Sequence, residues 1–344
     1  MLRSLALGGF VALALAACDE GGVARDEIRI VGSSTVYPFT TAVAEAFRNK
    51  RPDRKAPVIE ATGTGAGVKQ FCAGIGPLHP DILNASRRLR RSEYDACAAN
   101  GVDEIIEVQV GLDGVALAES NRGPRLKLGR TDLYRALAAF PGGKANTARL
   151  WSDVNPGLPA IPIQVLGPPA TSGTRDALAE LILAPACEAL IPGAAVMKER
   201  DHDGFARLCT RVRDDAAYVD SGENDNLIVQ KLDANPNAIG IFGFSYLEEN
   251  TDRLHGVPVD GVEPTYETIS TGRYPGARPL YIYVKKRHLK PVPGLTDFLA
   301  DYAASWGPNG PLVRKGMIAA PSAVRAASAA IIAQGKSLDP AELQ

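Results

Sequence analysis

Four strand-like runs in this chain stop where a helical pattern is about to begin, and each of the four junctions is built from small, hydroxylated or acidic residues. IRIVG (28–32) leads into Ser33-Ser34-Thr35, and PVIEATG (57–63) into Thr64-Gly65-Ala66-Gly67. IPIQVLG (161–167) precedes Thr171-Ser172-Gly173-Thr174-Arg175, and DDAAYV (214–219) precedes Ser221-Gly222-Glu223-Asn224-Asp225-Asn226. Strands that alternate with helices in this way belong to layered α/β folds. The junctions fall two in each half of a chain of 344 residues, a length that suits two lobes of roughly 150 each.

The remaining elements follow the same alternation. Residues 37–48 place Phe39, Val43, Ala46 and Phe47 at helical spacing, and 174–183, 224–233 and 295–305 read as further helices. EIIEVQVG and GVALAES, within 104–120, read as a pair of strands. AIGIFGF (238–244) and RPLYIYVKK (278–286) read as single ones. The Ala-rich stretch 323–344 suits a helix or a frayed terminus. Asp81 reads as a turn residue, and Tyr218, Phe242, Phe244 and Tyr246 as core or cleft wall. Arg88, Arg90 and Arg91 read as a solvated basic face.

The start of the chain sets the compartment. Arg3 precedes an uncharged run from Leu5 to Ala17, shorter than the roughly 20 residues that span a bilayer as a helix. Residues 1–17 therefore read as an export signal. The run ends Leu15-Ala16-Ala17-Cys18, which resembles a bacterial lipobox, so Cys18 is expected to be lipidated and to start a short linker, 18–26. Four cysteines remain, and in an exported chain an even number favours disulfides, with three pairings formally open. Local pairing, Cys72–Cys97 and Cys187–Cys209, is the expectation, because each bond then stays inside one lobe. Lys plus Arg number 38 against 39 Asp plus Glu, a balance that argues against nucleic acid as a partner. The four histidines are scattered and no C-x-x-C occurs, so neither a metal nor a cofactor is expected.

The junctions carry a chemistry of their own. A helix N-terminus presents N–H donors that have no partner within the helix, together with a partial positive charge. Hydroxyls, and glycines that let a ligand approach the backbone, complete an oxyanion site. Val68-Lys69-Gln70 stands where a phosphate-binding P-loop would need Gly-Lys-Ser/Thr, so the glycine loop is not of that type. Ser and Thr at helix starts are commonly plain caps; it is their recurrence in both halves that points to a small tetrahedral anion held between lobes.

VGSSTVYPF (31–39), TGTGAGVKQF (62–71), DILNASR (81–87), TSGTRDA (171–177) and GENDNLIVQKL (222–232) resemble the periplasmic phosphate-binding proteins of ABC transporters, the PstS-like group. The likeness runs from about residue 28 to about 320. It implies a type II periplasmic-binding-protein fold: two α/β lobes joined by two crossover segments, with the ligand in the interlobe cleft. The lobes it implies are 27–113 with 276–321, and 114–275, leaving 322–344 as a tail. It further implies a monomeric, non-enzymatic receptor in the periplasm, held to a membrane by its lipid, that passes inorganic phosphate to an inner-membrane ABC permease. A receptor for sulfate or molybdate, or a phosphate sensor, is the alternative.

Carried onto this chain motif by motif, the resemblance makes Ser34, Thr35 and Thr64 ligands from the first lobe and Ser172, Gly173 and Thr174 ligands from the second. Ser33 is a lesser candidate, with the cap of the following helix as its alternative role. Two positions depart from the family pattern: Arg87 stands where phosphate binders have an Asp, and Pro168 where they have an Arg. Arg175 could supply the missing charge. A buried carboxylate can accept the proton that phosphate keeps and sulfate lacks. One of Glu223 and Asp225 is therefore the expected acceptor, with Arg87 and Arg175 pairing with the oxygens; the alternative for Glu223 is an acid at a helix start, favoured by the helix dipole.

Overall fold

The computed structural model describes residues 25–170, 172–222 and 225–343; the signal 1–17, Cys18, Thr171 and Glu223 lie outside them. Nine strands are present among the described residues: β1 (Arg29–Gly32), β2 (Val58–Ala61), β3 (Ile82–Ala85), β4 (Ile105–Ser120), β5 (Val165–Gly167), β6 (Tyr218–Asp220), β7 (Ile239–Gly243), β8 (Leu254–Gly256) and β9 (Ala277–Lys285). Their order is β2-β1-β3-β9-β4-β7-β5-β6, with β8 also on β4. Two parallel groups, β2-β1-β3 and β6-β5-β7, flank an antiparallel middle.

The middle joins the lobes. The stretch expected as two strands is one, β4. Ile105 to Gly114 of β4 pair with β9, and Val115 to Ala118 pair with β7. Gly111, Asp113 and Gly114 look like a turn in the sequence, but each half of the strand finds its own partner, so the chain runs straight on. The irregularity is absorbed as a bulge between Gln109 and Gly111. Gly111 is small for a packing reason: a Cβ there would lie 2.5 Å from the Met317 sulfur.

Helices pack on both parallel groups, whose inner strands β1, β3 and β5 are largely buried. On one face of β1, β3, β4 and β9, the helices Tyr37–Lys50 and Leu295–Ser305 bury Phe39, Val43, Phe47, Phe298 and Tyr302. Phe47 and Phe298 meet edge to face at 5.7 Å. The other face holds Val68, Phe71, Leu83 and Tyr283, together with the Cys72–Cys97 disulfide. A separate core around Tyr134, Trp151, Val165, Leu178, Ile228 and Phe242 contains Cys187–Cys209.

Two expected elements are altered for local reasons. The helix expected at 174–183 starts as Gly173–Ala177, widens into π turns over Leu178–Leu183 and resumes at Ala184–Leu190. Pro185 lacks an N–H and crowds the carbonyl four residues earlier, which disturbs the regular ladder there. The strand expected at 214–219 is only Tyr218–Asp220, because Asp215 instead accepts from the Ala217 N–H at 3.0 Å and pairs with the buried Arg213. The tail forms the helix Ser322–Gln334, ending at Gly335 with φ +58°. The Ser328 hydroxyl donates to the Gln109 carbonyl at 2.8 Å, fastening this helix to β4. No helix among the described residues is long and apolar enough to cross a membrane.

Candidate functional site

In an open α/β sheet, ligands bind beyond the carboxyl ends of the parallel strands. Here β1 ends at Ser33-Ser34-Thr35, β2 at Thr62-Gly63-Thr64 and β3 at Ser86-Arg87, while β5 ends at the loop that starts the helix at Gly173. The first turn is drawn tight against its neighbours. A Cβ on Gly32 (φ +125°) would lie 2.1 Å from the Asn84 carbonyl oxygen, and one on Gly67 would lie 2.5 Å from Gly32 Cα. Glycine at both positions lets the helix Thr64–Phe71 close on β1, which brings the first two turns together.

The two halves meet at these turns. The Ser34 hydroxyl donates to Asp176 Oδ2 across 142 residues of sequence, at 3.0 Å. The helix start at Gly173 comes so close that a Cβ there would be 3.3 Å from Thr35 Cα. Arg278, at the beginning of β9 and only 6% exposed, donates to Thr35 Oγ1 at 2.9 Å and to Asp113 Oδ2 at 3.3 Å, and also pairs with Glu180. One guanidinium on a crossover strand thus holds the first lobe's turn, the other crossover strand and a second-lobe helix. Burial pushes the Asp113 and Asp176 carboxyls up, against the opposing pull of Arg278 and of the Ser34 hydroxyl respectively.

The other expected residues are distributed around this meeting point. Ser33 is buried and its Oγ accepts the Val36 N–H at 3.4 Å, so it serves the helix start. Thr64 Oγ1 lies 3.1 Å from Ser86 Oγ and accepts the Ser86 N–H at 3.2 Å. Ser172 caps its helix, accepting the Thr174 N–H at 3.2 Å. Arg87 is turned to Glu93, with two bonds of 2.9 and 2.7 Å that raise its own pKa. Arg175 stacks 4.0 Å above the Tyr218 ring and donates to the Pro168 carbonyl at 3.2 Å. Burial pushes the Tyr218 phenol up to about 12, with Arg175 opposing, so the ring is a neutral platform. Asp225 is buried and its Oδ2 accepts the Gly243 N–H at 3.3 Å. Ser34, Thr35, Ser172 and Gly173 are therefore brought together, whereas Arg87 and Arg175 are occupied by protein partners.

Sequence reasoning missed Arg278, Asp176 and Ser86. Asp176 stands inside the quoted TSGTRDA, and Arg278 opens RPLYIYVKK, a cation leading into a buried β-run. Beyond Thr64 and Arg278 the cleft widens into a chamber of ≈570 Å³ walled by both lobes.

Comparison with known proteins gives a consistent picture. A family model described as a PBP superfamily domain matches residues 19–305. Protein SphX of Synechococcus elongatus is 29% identical over 340 residues, covering 95% of this chain and 90% of that protein. The protein named Phosphate-binding protein PstS in Staphylococcus saprophyticus is 30% identical over 299 residues, covering 83% and 80%. A solved structure described as a possible phosphate binding protein from Planctomyces limnophilus matches with a TM-score of 0.73 at 30% identity, over 90% of this chain and 98% of that one. An ABC-type phosphate transport receptor from Vibrio cholerae shares the fold, with a TM-score of 0.57 at 21% identity.

Proposed function

We propose that this chain, which belongs to the PBP superfamily, is the substrate-binding component of an ABC transporter, capturing inorganic phosphate between its lobes and delivering it to an inner-membrane permease. The observation that carries the reading is the meeting of the Ser34 and Thr35 turn with the Ser172-Gly173 helix start, with Arg278 beside them. Hydroxyls, helix N–H groups and one buried guanidinium suit a tetrahedral anion. Relatives named for phosphate binding support that choice of anion.

In this reading Ser34, Thr35 and Thr64 donate from the first lobe, and Ser172, Gly173 and Thr174 from the second. Arg278 supplies the charge that the departures at Arg87 and Pro168 had left in question, and Arg175 reinforces it from its place on Tyr218. Asp176, facing the Ser34 turn, accepts the proton that phosphate retains. It joins the acceptors expected from the sequence, Glu223, which lies outside the described residues, and Asp225, whose Oδ2 accepts the Gly243 N–H. A sulfate would leave the Asp176 carboxylate facing a bare oxygen, which costs affinity.

The lobes, 27–113 with 276–321 and 114–275, hinge where β4 changes partner, between Gly114 and Val115. The chain acts as a receptor rather than as a catalyst. It works outside the cytoplasmic membrane as a monomer, anchored through a lipid on Cys18. Calorimetric titration of the mature protein with phosphate, arsenate, sulfate and molybdate tests the assignment. Phosphate and arsenate are expected to bind and sulfate to bind at least about a hundredfold more weakly; equal affinity for sulfate would remove Asp176 from its role, and no heat with phosphate would remove the function.

A further inference from the structure

The loop between the helix Thr64–Phe71 and β3 is fastened by side chains that the anion site does not use. Lys285 Nζ donates to the Gly74 carbonyl, and His288 Nε2 accepts the Gly76 N–H at 3.0 Å. Arg25 Nη1 donates to the carbonyls of Pro77 and His79 at 2.9 and 3.0 Å, and Arg29 Nη1 reaches the Leu78 carbonyl at 3.4 Å. Asp81, fully buried, gathers Arg25 and His288 beneath the loop. A loop held at so many backbone groups is not free to turn its apolar tip inward. Leu78 is left 82% exposed, more than any other large hydrophobic side chain among the described residues.

Leu78 stands on the amino-end face of the first-lobe sheet, opposite the anion turns, and two basic stretches reach the same face. Residues 48–55 lead from the helix Tyr37–Lys50 to the start of β2 and carry five cations against one acid. Residues 286–290 follow the end of β9, which lies antiparallel beside the start of β3, and carry three cations and no acid. Lys50 and Arg51 are tied to Asp301. Arg48 and Lys290 meet no carboxylate among the described residues. Lys55 with Asp26, and Lys286 and Arg287 with Glu104, form exposed pairs, which contribute little and exchange readily for other anions. Arg25 is also where the tether arrives. It lies seven residues on from Cys18, a length that spans no more than about 25 Å when fully extended. A lipid on Cys18 therefore keeps this face, and not the cleft end, nearest to a bilayer.

We propose that the amino-end face of the first lobe docks on an anionic lipid surface, with Pro77 and Leu78 entering the headgroup layer and Arg48, Lys55, Lys286, Arg287 and Lys290 meeting lipid phosphates. An apolar tip among cations suits such a surface. The proposal rests on the lipidated Cys18 of the reading given above and is independent of what the cleft binds. A covalent lipid and a basic patch are the two signals that stable attachment takes. The buried ionic cluster around Asp81 is then the frame that keeps Leu78 pointing outward. Docked this way, the Ser34 and Ser172 turns face away from the lipid, toward the solution from which phosphate is captured.

The test reconstitutes the full mature protein, purified from membranes, in vesicles of phosphatidylethanolamine and phosphatidylglycerol. A polarity-sensitive fluorophore is placed on Leu78→Cys or, as the control, on Leu227→Cys of the second-lobe helix Asp225–Ala234, itself 43% exposed. The label at 78 is expected to shift to the blue and to be quenched by spin-labelled lipid about threefold or more over the label at 227. Vesicles of phosphatidylcholine alone, or Lys286→Glu combined with Lys290→Glu, are expected to remove about half or more of that quenching. An unchanged circular dichroism spectrum reports that each variant is folded. If the protein stays on the vesicles but the two labels behave alike, or if neither charge change has an effect, the docking proposal is lost and the lipid anchor stands. If the protein does not stay with the vesicles, the anchored reading fails and the proposal falls with it. A shift at 78 seen only with native membranes, and not with protein-free lipid, assigns the loop to a membrane protein and also overturns it.

Discussion

The two ends of the first-lobe sheet both bury ionic groups, yet they are wired differently. At the amino end Asp81, fully buried, accepts from both Arg25 Nη2 contacts at 2.5 Å, from the Arg29 N–H at 2.8 Å and from His288 Nδ1 at 2.6 Å. His288 Nε2 in turn accepts the Gly76 N–H at 3.0 Å, which fixes the neutral ring with its proton on Nδ1. The buried Lys285 donates to the Gly74 carbonyl. Every one of these partners belongs to the same lobe except Arg25, which lies in the linker leading into it. At the carboxyl end two contacts leave the lobe: Ser34 reaches Asp176, and Arg278, which holds Thr35 within the lobe, also pairs with Glu180 of the other. Bonds closed within a lobe resist motion, whereas bonds that span lobes break when the lobes part. Burial of charge alone therefore does not mark the functional end; the location of the partner does.

That contrast can be broken by substitution. The largest effect is expected for Asp81→Asn, which strands Arg25 and His288 and should cost about 3–5 kcal/mol of stability. Denaturant titration reads it, and the phosphate affinity of the folded fraction should be unchanged. A loss below about 1 kcal/mol would show that the amino end is not a lock. Arg278→Met should behave oppositely, weakening phosphate binding by about a hundredfold or more while disturbing stability less than Asp81→Asn, because Asp113 can take up a proton once its partner is gone. Next in size, Ser172→Ala should lower stability by about 1 kcal/mol through loss of the cap and weaken binding as well; a stability change without an affinity change would reduce Ser172 to a cap.

A further effect is a pH signature of the amino end. Burial lowers the Lys285 pKa from its ordinary 10.5 to about 8, with Asp81 opposing and Arg25 assisting. Between those two values the unfolded chain holds a proton that the folded chain has released, so this group makes stability rise with pH across the window. Comparing wild type with Lys285→Met from pH 8 to pH 10 should isolate that rise. Coincident profiles would remove the buried lysine from the account.

The legibility of the two ends from sequence differed as well. The carboxyl-end turns announced themselves, because hydroxyls and glycines at strand-to-helix junctions are unusual in combination and need no partner to be recognised. Arg278 did not, since its meaning depends on Thr35 and Asp113, respectively 243 and 165 residues away. Asp81 looked like a turn residue for the same reason: its partners Arg25 and His288 are distant in sequence, and no local pattern announces a buried hub. β4 misled through its glycines, which serve a bulge and the Met317 side chain rather than a turn. The helix Ser322–Gln334 was ambiguous because its anchor, Ser328 on Gln109, is a long-range contact that an Ala-rich stretch does not reveal. Local chemistry was readable, and pairing at a distance was not.

The central claim is that phosphate is read where the lobes meet, around Arg278, and not by the equally ionic end opposite. Titrating wild type, Arg278→Met and Asp81→Asn with phosphate side by side tests it most directly. The account predicts binding in wild type and in folded Asp81→Asn, and a loss of about a hundredfold or more in Arg278→Met. Full affinity in Arg278→Met would contradict it.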